Sequence, residues 1–129
     1  MSDFIKVKGK EFPTLIALTM EEQQTGLMGK KWPPPVMSFV YKNSGLRKFW
    51  MKNTPSPLDI VFCNKNKIVS ICYGEPHSNK LVGPEENCDL VVEFPYGTCH
   101  NNGFKVGDSI DLNISENTIK KHNLLRYYF

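Results

Sequence analysis

Between Phe49 and Phe62 the chain reads Phe-Trp-Met-Lys-Asn-Thr, Pro-Ser-Pro, then Leu-Asp-Ile-Val-Phe, so charged, amide and hydroxyl groups are written into one of its most apolar regions. Burying Lys52 or Asp59 alone would cost several kcal/mol, so any fold must give each of them a partner or water. Read as a strand over residues 48–52, the first run sends Phe49 and Met51 to one side and Trp50 and Lys52 to the other. In the second run Leu58, Ile60 and Phe62 alternate with Asp59, Val61 and Cys63. The turn 53–57 between them can bring Lys52 and Asp59 together as an ion pair.

The rest of the chain supports a mostly β architecture, a compact antiparallel-rich barrel or sandwich-like single domain with one short helix. Residues 5–8 alternate as a half-solvated strand, and 14–18 form a more apolar one. Further strands are expected over 36–41, 58–62, 68–73, 90–94 and 109–114. Asn64-Lys65-Asn66-Lys67 is a polar tip between two apolar runs, the chemistry of a hairpin. Thr19-Met20-Glu21-Glu22 fits a capping box, so a short helix begins there, with Met20, Leu27 and Met28 near one face and Gly29 placed to end it. Three consecutive prolines at 33–35 make a loop. Residues 75–87 have no period and read as a long loop able to move over a face. Residues 1–114 make up the β domain, and 115–129 a basic and aromatic tail.

Gly26-Leu27-Met28, Val36-Met37-Ser38-Phe39, Phe49-Trp50-Met51-Lys52-Asn53-Thr54 with Pro57-Leu58-Asp59, Val92-Glu93-Phe94-Pro95-Tyr96-Gly97, and Lys105-Val106-Gly107-Asp108 resemble, in order, the motifs of the family catalogued as domain of unknown function 192. The resemblance covers residues from about 15 to 112 and implies a compact, mostly β domain without an established activity. An arginine usually follows Gly-Leu-Met by two places in that family, and Lys30 stands there in this chain. A planar fork is thereby replaced by a point charge, which weakens any bidentate anion recognition carried over from the family.

Sixteen Lys and Arg against thirteen Asp and Glu leave a net charge of +3, too balanced to announce a nucleic-acid protein. The first residues lack the apolar core and cleavage site of a secretory signal, although many similar sequences carry one. No run approaches the ~20 apolar residues needed to span a bilayer. The expectation is a cytoplasmic protein, or one packaged in a virion if virus-encoded. Cys63, Cys72, Cys88 and Cys99 form no Cys-x-x-Cys pair and read as reduced structural thiols. A disulfide, or a zinc site recruiting His77, His100 and Cys99, is the alternative, but zinc-ligand spacing is absent. No metal and no cofactor is expected.

The candidate ligand residues are Trp50, Lys52, Asn53, Thr54 and Asp59, with Lys30 and Glu93 beside them. In that reading Trp50 is an apolar platform, Lys52 anchors an anion or carbonyl, and the remaining polar groups fix orientation. The competing reading is purely architectural: Lys52 and Asp59 lock the turn, Trp50 fills the core, and Glu93 faces outward from its strand. Catalysis is disfavoured, because an adjacent aspartate would hold Lys52 as an ammonium and the three histidines fall in turns or the tail. No catalytic residue is assigned. The reading is a small binding or accessory domain for a small polar ligand or peptide, with no membrane partner. The alternatives are an assembly module that docks or self-associates through Arg126, Tyr127, Tyr128 and Phe129, and a weak nucleic-acid binder using the same tail with Lys120 and Lys121.

Overall fold

In the computed structural model the backbone is described for residues 2–128 and the side chains for residues 2–122. The elements are β1 (Phe4–Val7), β2 (Lys10–Ala17), α1 (Met20–Thr25), β3 (Val36–Gly45), β4 (Leu58–Asn64), β5 (Lys67–Gly74), β6 (Cys88–Pro95), α2 (Thr98–Asn102), β7 (Ile110–Asn113) and α3 (Glu116–Tyr128). The strands form one seven-stranded sheet in the order β5-β4-β6-β3-β2-β1-β7. The sheet curls until its two outer strands approach each other, where Lys67 bridges Ser109 and the Ile110 amide donates to the Asn66 carbonyl at 3.0 Å. All strand pairs are antiparallel except β2 with β3, which the α1 crossover makes parallel.

Curling gives the sheet two buried faces. Inside the curl, Ile5, Val7, Val61, Cys63, Ile68, Leu90, Val92, Phe94 and Ile110 pack together, closed by Phe104 and by Cys99 of α2. On the outer face, Ala17, Met37, Phe39, Leu58, Ile60, Phe62 and Val91 are covered by Leu27 and Met51. The central strands β4 and β6 are therefore buried on both sides and read as almost continuous apolar runs.

Local signals explain the joints. The capping box at α1 is formed: the Glu22 amide donates to Thr19 Oγ1 at 3.1 Å, and Glu22 Oε1 accepts from the Thr19 amide at 3.0 Å. The helix ends earlier than Gly29, at Gly26. Lys65 and Asn66 have φ of 48° and 63°, the left-handed pair that closes a two-residue hairpin between β4 and β5. Among the described residues two further helices, α2 and α3, accompany the expected one, and α3 falls within the basic and aromatic tail.

Residues 48–52 do not form the expected strand. Only Phe49 is bridged, exchanging two 2.8 Å backbone bonds with Val82, while the Met51 amide donates to the Ser78 carbonyl at 2.9 Å. The expected alternation persists: Met51 is buried and Phe49 packs on the outer core, whereas Trp50 and Lys52 are exposed. The same bonds staple the loop 75–87 to the 48–54 segment, and both cover the outer face.

Gly83 sits where the two meet. A Cβ there would lie 2.3 Å from the Arg47 carbonyl oxygen, and its φ is +151°. Gly83→Ala forces backbone against backbone and should cost at least ~2 kcal/mol in urea unfolding followed by tryptophan fluorescence.

Candidate functional site

A cleft of about 350 Å³ opens between α1 with the chain that follows it and the segment 48–54. Its α1 side is set by Gln23, whose Nε2 donates to the carbonyls of Ala17 at 3.2 Å and Val40 at 3.0 Å, tying the helix to β2 and β3. Gly26 then lets the chain turn down onto the sheet, since a Cβ there would lie 3.3 Å from Phe39 Cζ and φ is +46°. Leu27 enters the core, and Met28 lines the cleft. This is the physical content of Gly26-Leu27-Met28.

The opposite wall is a tight turn. The Thr54 amide donates to the Met51 carbonyl at 3.0 Å and Thr54 Oγ1 to the Lys52 carbonyl at 3.2 Å, with Asn53 in the left-handed region at φ 55°. The Asn53 carbonyl accepts from the Gly29 amide at 2.9 Å, and Ser56 Oγ donates to the Lys30 carbonyl at 2.8 Å, so the two walls are stitched together at the base. Above this turn Trp50 is 45 % exposed, and Lys52 Nζ lies 5.2 Å from its ring centroid, a cation–π contact at the cleft mouth.

Glu93, Phe39 and Tyr41 also line the cleft. Glu93 is 4 % exposed, flanked on β3 by Met37 and on β4 by Ile60. It makes no hydrogen bond and no ion pair with the described residues, and none of their side-chain oxygens or nitrogens is sealed away without a partner; its carboxyl oxygens therefore open onto the cleft. Burial raises its pKa to about 8, so at neutral pH it is mostly the uncharged acid. Tyr41 is pushed up to about 12, first by burial and in part by Glu93. Arg47 stacks 3.8 Å from the Tyr41 ring centroid.

Of the residues singled out from the sequence, Trp50, Lys52, Thr54 and Glu93 line the cleft, whereas Lys30, Asn53 and Asp59 do not. Glu93 does not face outward. The Lys52–Asp59 ion pair is not formed: Lys52 is exposed, and Asp59 is buried with its Oδ2 accepting from the amides of Gly97 at 3.1 Å and Cys99 at 3.0 Å. Asp59 thereby caps α2 from another strand, because Gly97 at the helix start offers no side chain. Gln23, Tyr41 and Lys48 reach the cleft without a sequence signal, each brought there by packing of distant segments. Lys48 is held at the edge by a 2.6 Å ion pair with Glu85 and a 2.7 Å bond to the Gly83 carbonyl.

The other marked residues lie apart. His77 and His100 are exposed, but His122 is half-buried, with Nε2 3.2 Å from Glu22 Oε1. The four cysteines are free thiols. The side chains of Arg126, Tyr127 and Tyr128, and all of Phe129, fall outside the described residues. Among the described residues no helix is long and apolar enough to cross a membrane.

A family model for DUF192, described as an uncharacterized ACR, matches residues 4–112. No curated protein matches significantly. Two crystal structures are similar, each with 25% sequence identity and a TM-score of 0.76. One is a protein of unknown function from Novosphingobium aromaticivorans, with 84% of this chain and 82% of that chain covered. The other, from Sinorhizobium meliloti, is described as a "putative transcription regulator", with 85% and 91% covered.

Proposed function

Because this chain belongs to the DUF192 family, whose fold carries no established activity, we propose a function from the cleft itself: it binds a small polar ligand and does not turn it over. The ligand lays its apolar body on Trp50, directs an anionic or carbonyl group to Lys52 at the mouth, and reaches Glu93 with its inner end. The observation that carries this reading is Glu93. A carboxyl only 4 % exposed, with no protein partner among the described residues and open only to the cleft, is a cost to the fold that a purely architectural position would not retain, and the cleft it lines is of ligand size. Binding is favoured over catalysis because no nucleophile–base pair is assembled among the described residues: Glu93 is hydrogen-bonded to none of them, and Thr54 Oγ1 donates to the Lys52 carbonyl.

The test is a metabolite panel screened by thermal shift on the wild type, Trp50→Ala and Lys52→Ala. Lys52 stands in solvent, so unliganded Lys52→Ala should unfold within ~1 kcal/mol of wild type, whereas Trp50, 45 % exposed, gives up the covered part of its ring and Trp50→Ala should cost ~2 kcal/mol. A ligand that raises the wild-type midpoint should lose at least about tenfold in affinity in each variant, a difference of ~1.4 kcal/mol. A ligand held equally by all three proteins would place binding elsewhere, and a panel without hits would remove the support for this reading.

A further inference from the structure

We propose that the ligand is a small zwitterion, entering with an ammonium group that meets Glu93 against Phe39, Phe49 and Trp50 and leaving an acidic group outside at Lys52. This rests on the reading of the cleft as a binding site and names the chemistry of its occupant.

The charges around Glu93 are few. From β3 it faces the Tyr41 phenol; from the opposite wall come Lys48 and Lys52; α1 contributes only uncharged side chains to the cleft. Lys48 is neutralised by Glu85, and Arg47 is engaged by the Tyr41 ring and by the Cys88 carbonyl at 3.2 Å. Among the described residues, then, Lys52 is the ammonium at the mouth that makes no ion pair, and Glu93 is the carboxyl at the inner end that makes none. A simple cation would be repelled at the mouth, and a simple anion would leave Glu93 without a charge partner. A zwitterion with its ammonium inward answers both.

The aromatic lining favours the same occupant. Phe39 and Phe49 meet edge to face at 4.9 Å between centroids, and Trp50 continues this wall to the mouth. The faces of such rings attract cations, as Lys52 on Trp50 and Arg47 on Tyr41 already demonstrate here. An arriving ammonium displaces the proton of Glu93, so uptake of the ligand releases a proton to solvent and affinity depends on pH.

The probes are ω-trimethylammonio carboxylates with one to four methylenes between the charges, whose cation does not titrate, and their tert-butyl carboxylate isosteres, which lack only the positive charge. Affinity is measured by calorimetry from pH 6 to 9 on the wild type, Glu93→Gln and Lys52→Met. One zwitterion should bind with affinity rising about tenfold per pH unit at the acid end and flattening above pH 8, the signature of one displaced proton. Its isostere should bind at least about tenfold more weakly at pH 8, and Glu93→Gln should abolish the slope while Lys52→Met weakens binding at every pH. The wild-type slope and the isostere comparison decide the matter even if a variant fails to fold. An isostere that binds as well as the zwitterion, or a zwitterion affinity indifferent to pH, overturns the ammonium assignment but leaves the cleft a binding site. If no zwitterion binds while a metabolite of another class does so through Trp50 and Lys52, the outcome is the same; if nothing binds, both readings fall.

Discussion

Glu93→Met should stabilise the unliganded protein by roughly 3 kcal/mol at pH 7, measured by urea unfolding, and by almost nothing at pH 4. The sign follows from the direction of the shift. The folded-state pKa is raised from 4.5 to about 8 by burial alone. A raised carboxyl holds its proton more tightly in the folded state, so the wild type is most stable below pH 4.5 with respect to this group. That stability is lost as pH rises through the window between the unfolded and folded values, and the loss is complete above about pH 8. Methionine fills a similar volume beside Met37 and Ile60 and does not titrate, so the variant escapes the loss. Glu93→Gln removes the titration but keeps a buried amide facing the cleft, and it should flatten the pH profile with a smaller gain. A wild-type stability that does not decline between pH 5 and 8 would mean that Glu93 has a partner in solution. A gain from Glu93→Met accompanied by loss of ligand binding would mark a residue kept for function at the expense of the fold.

Asp59→Ala should destabilise by about 3 kcal/mol, the largest loss expected from any polar residue of the central motif. Two backbone amides, of Gly97 and Cys99, depend on one buried carboxylate oxygen. Charge-assisted bonds of this kind contribute ~1.5–3 kcal/mol each, and removing the acceptor strands both donors where water reaches them poorly. Asp59→Asn keeps an acceptor oxygen without the charge, so its cost should be about half. Because Asp59 holds the start of α2, the damage should spread to Cys99 and Phe104, which close the inner core. Hydrogen exchange would show this as faster exchange across residues 97–104, with the cleft walls unaffected. Lys52→Met should change stability by less than ~1 kcal/mol, since its ammonium touches only the exposed face of Trp50. If Lys52→Met and Asp59→Ala lost similar stability and the double variant lost no more, the two residues would be coupled and not independent.

Much of the fold was legible because it depends on neighbours along the chain. The capping box of Thr19 and Glu22 is a contact across three residues, and the hairpin at Lys65 and Asn66 needs only the backbone freedom of its own tip. The alternation that sets Trp50 beside Lys52 and against Met51 is equally local, and it survives even though residues 48–52 make a single bridge rather than a strand. The family motifs are legible for the same reason: Gly26 and Asn53 are the residues their backbone angles require.

Tertiary structure alone decided the rest. Strands β4 and β6 are buried on both faces, so period-two alternation carries no information about which side Asp59 or Glu93 occupies. Once the sheet curls, Asp59 meets amides thirty-eight and forty residues away, whereas Glu93, on the outer face, meets only the cleft. One carboxylate thereby becomes a cap and the other a candidate binding group. The sequence by itself determined a mostly β domain of one family, its turns and its one capped helix, since those rest on short-range sterics and hydrogen bonds. Which buried charge found a partner was settled by the closure of the sheet, because the partner of a buried charge is chosen by distance in space and not along the chain.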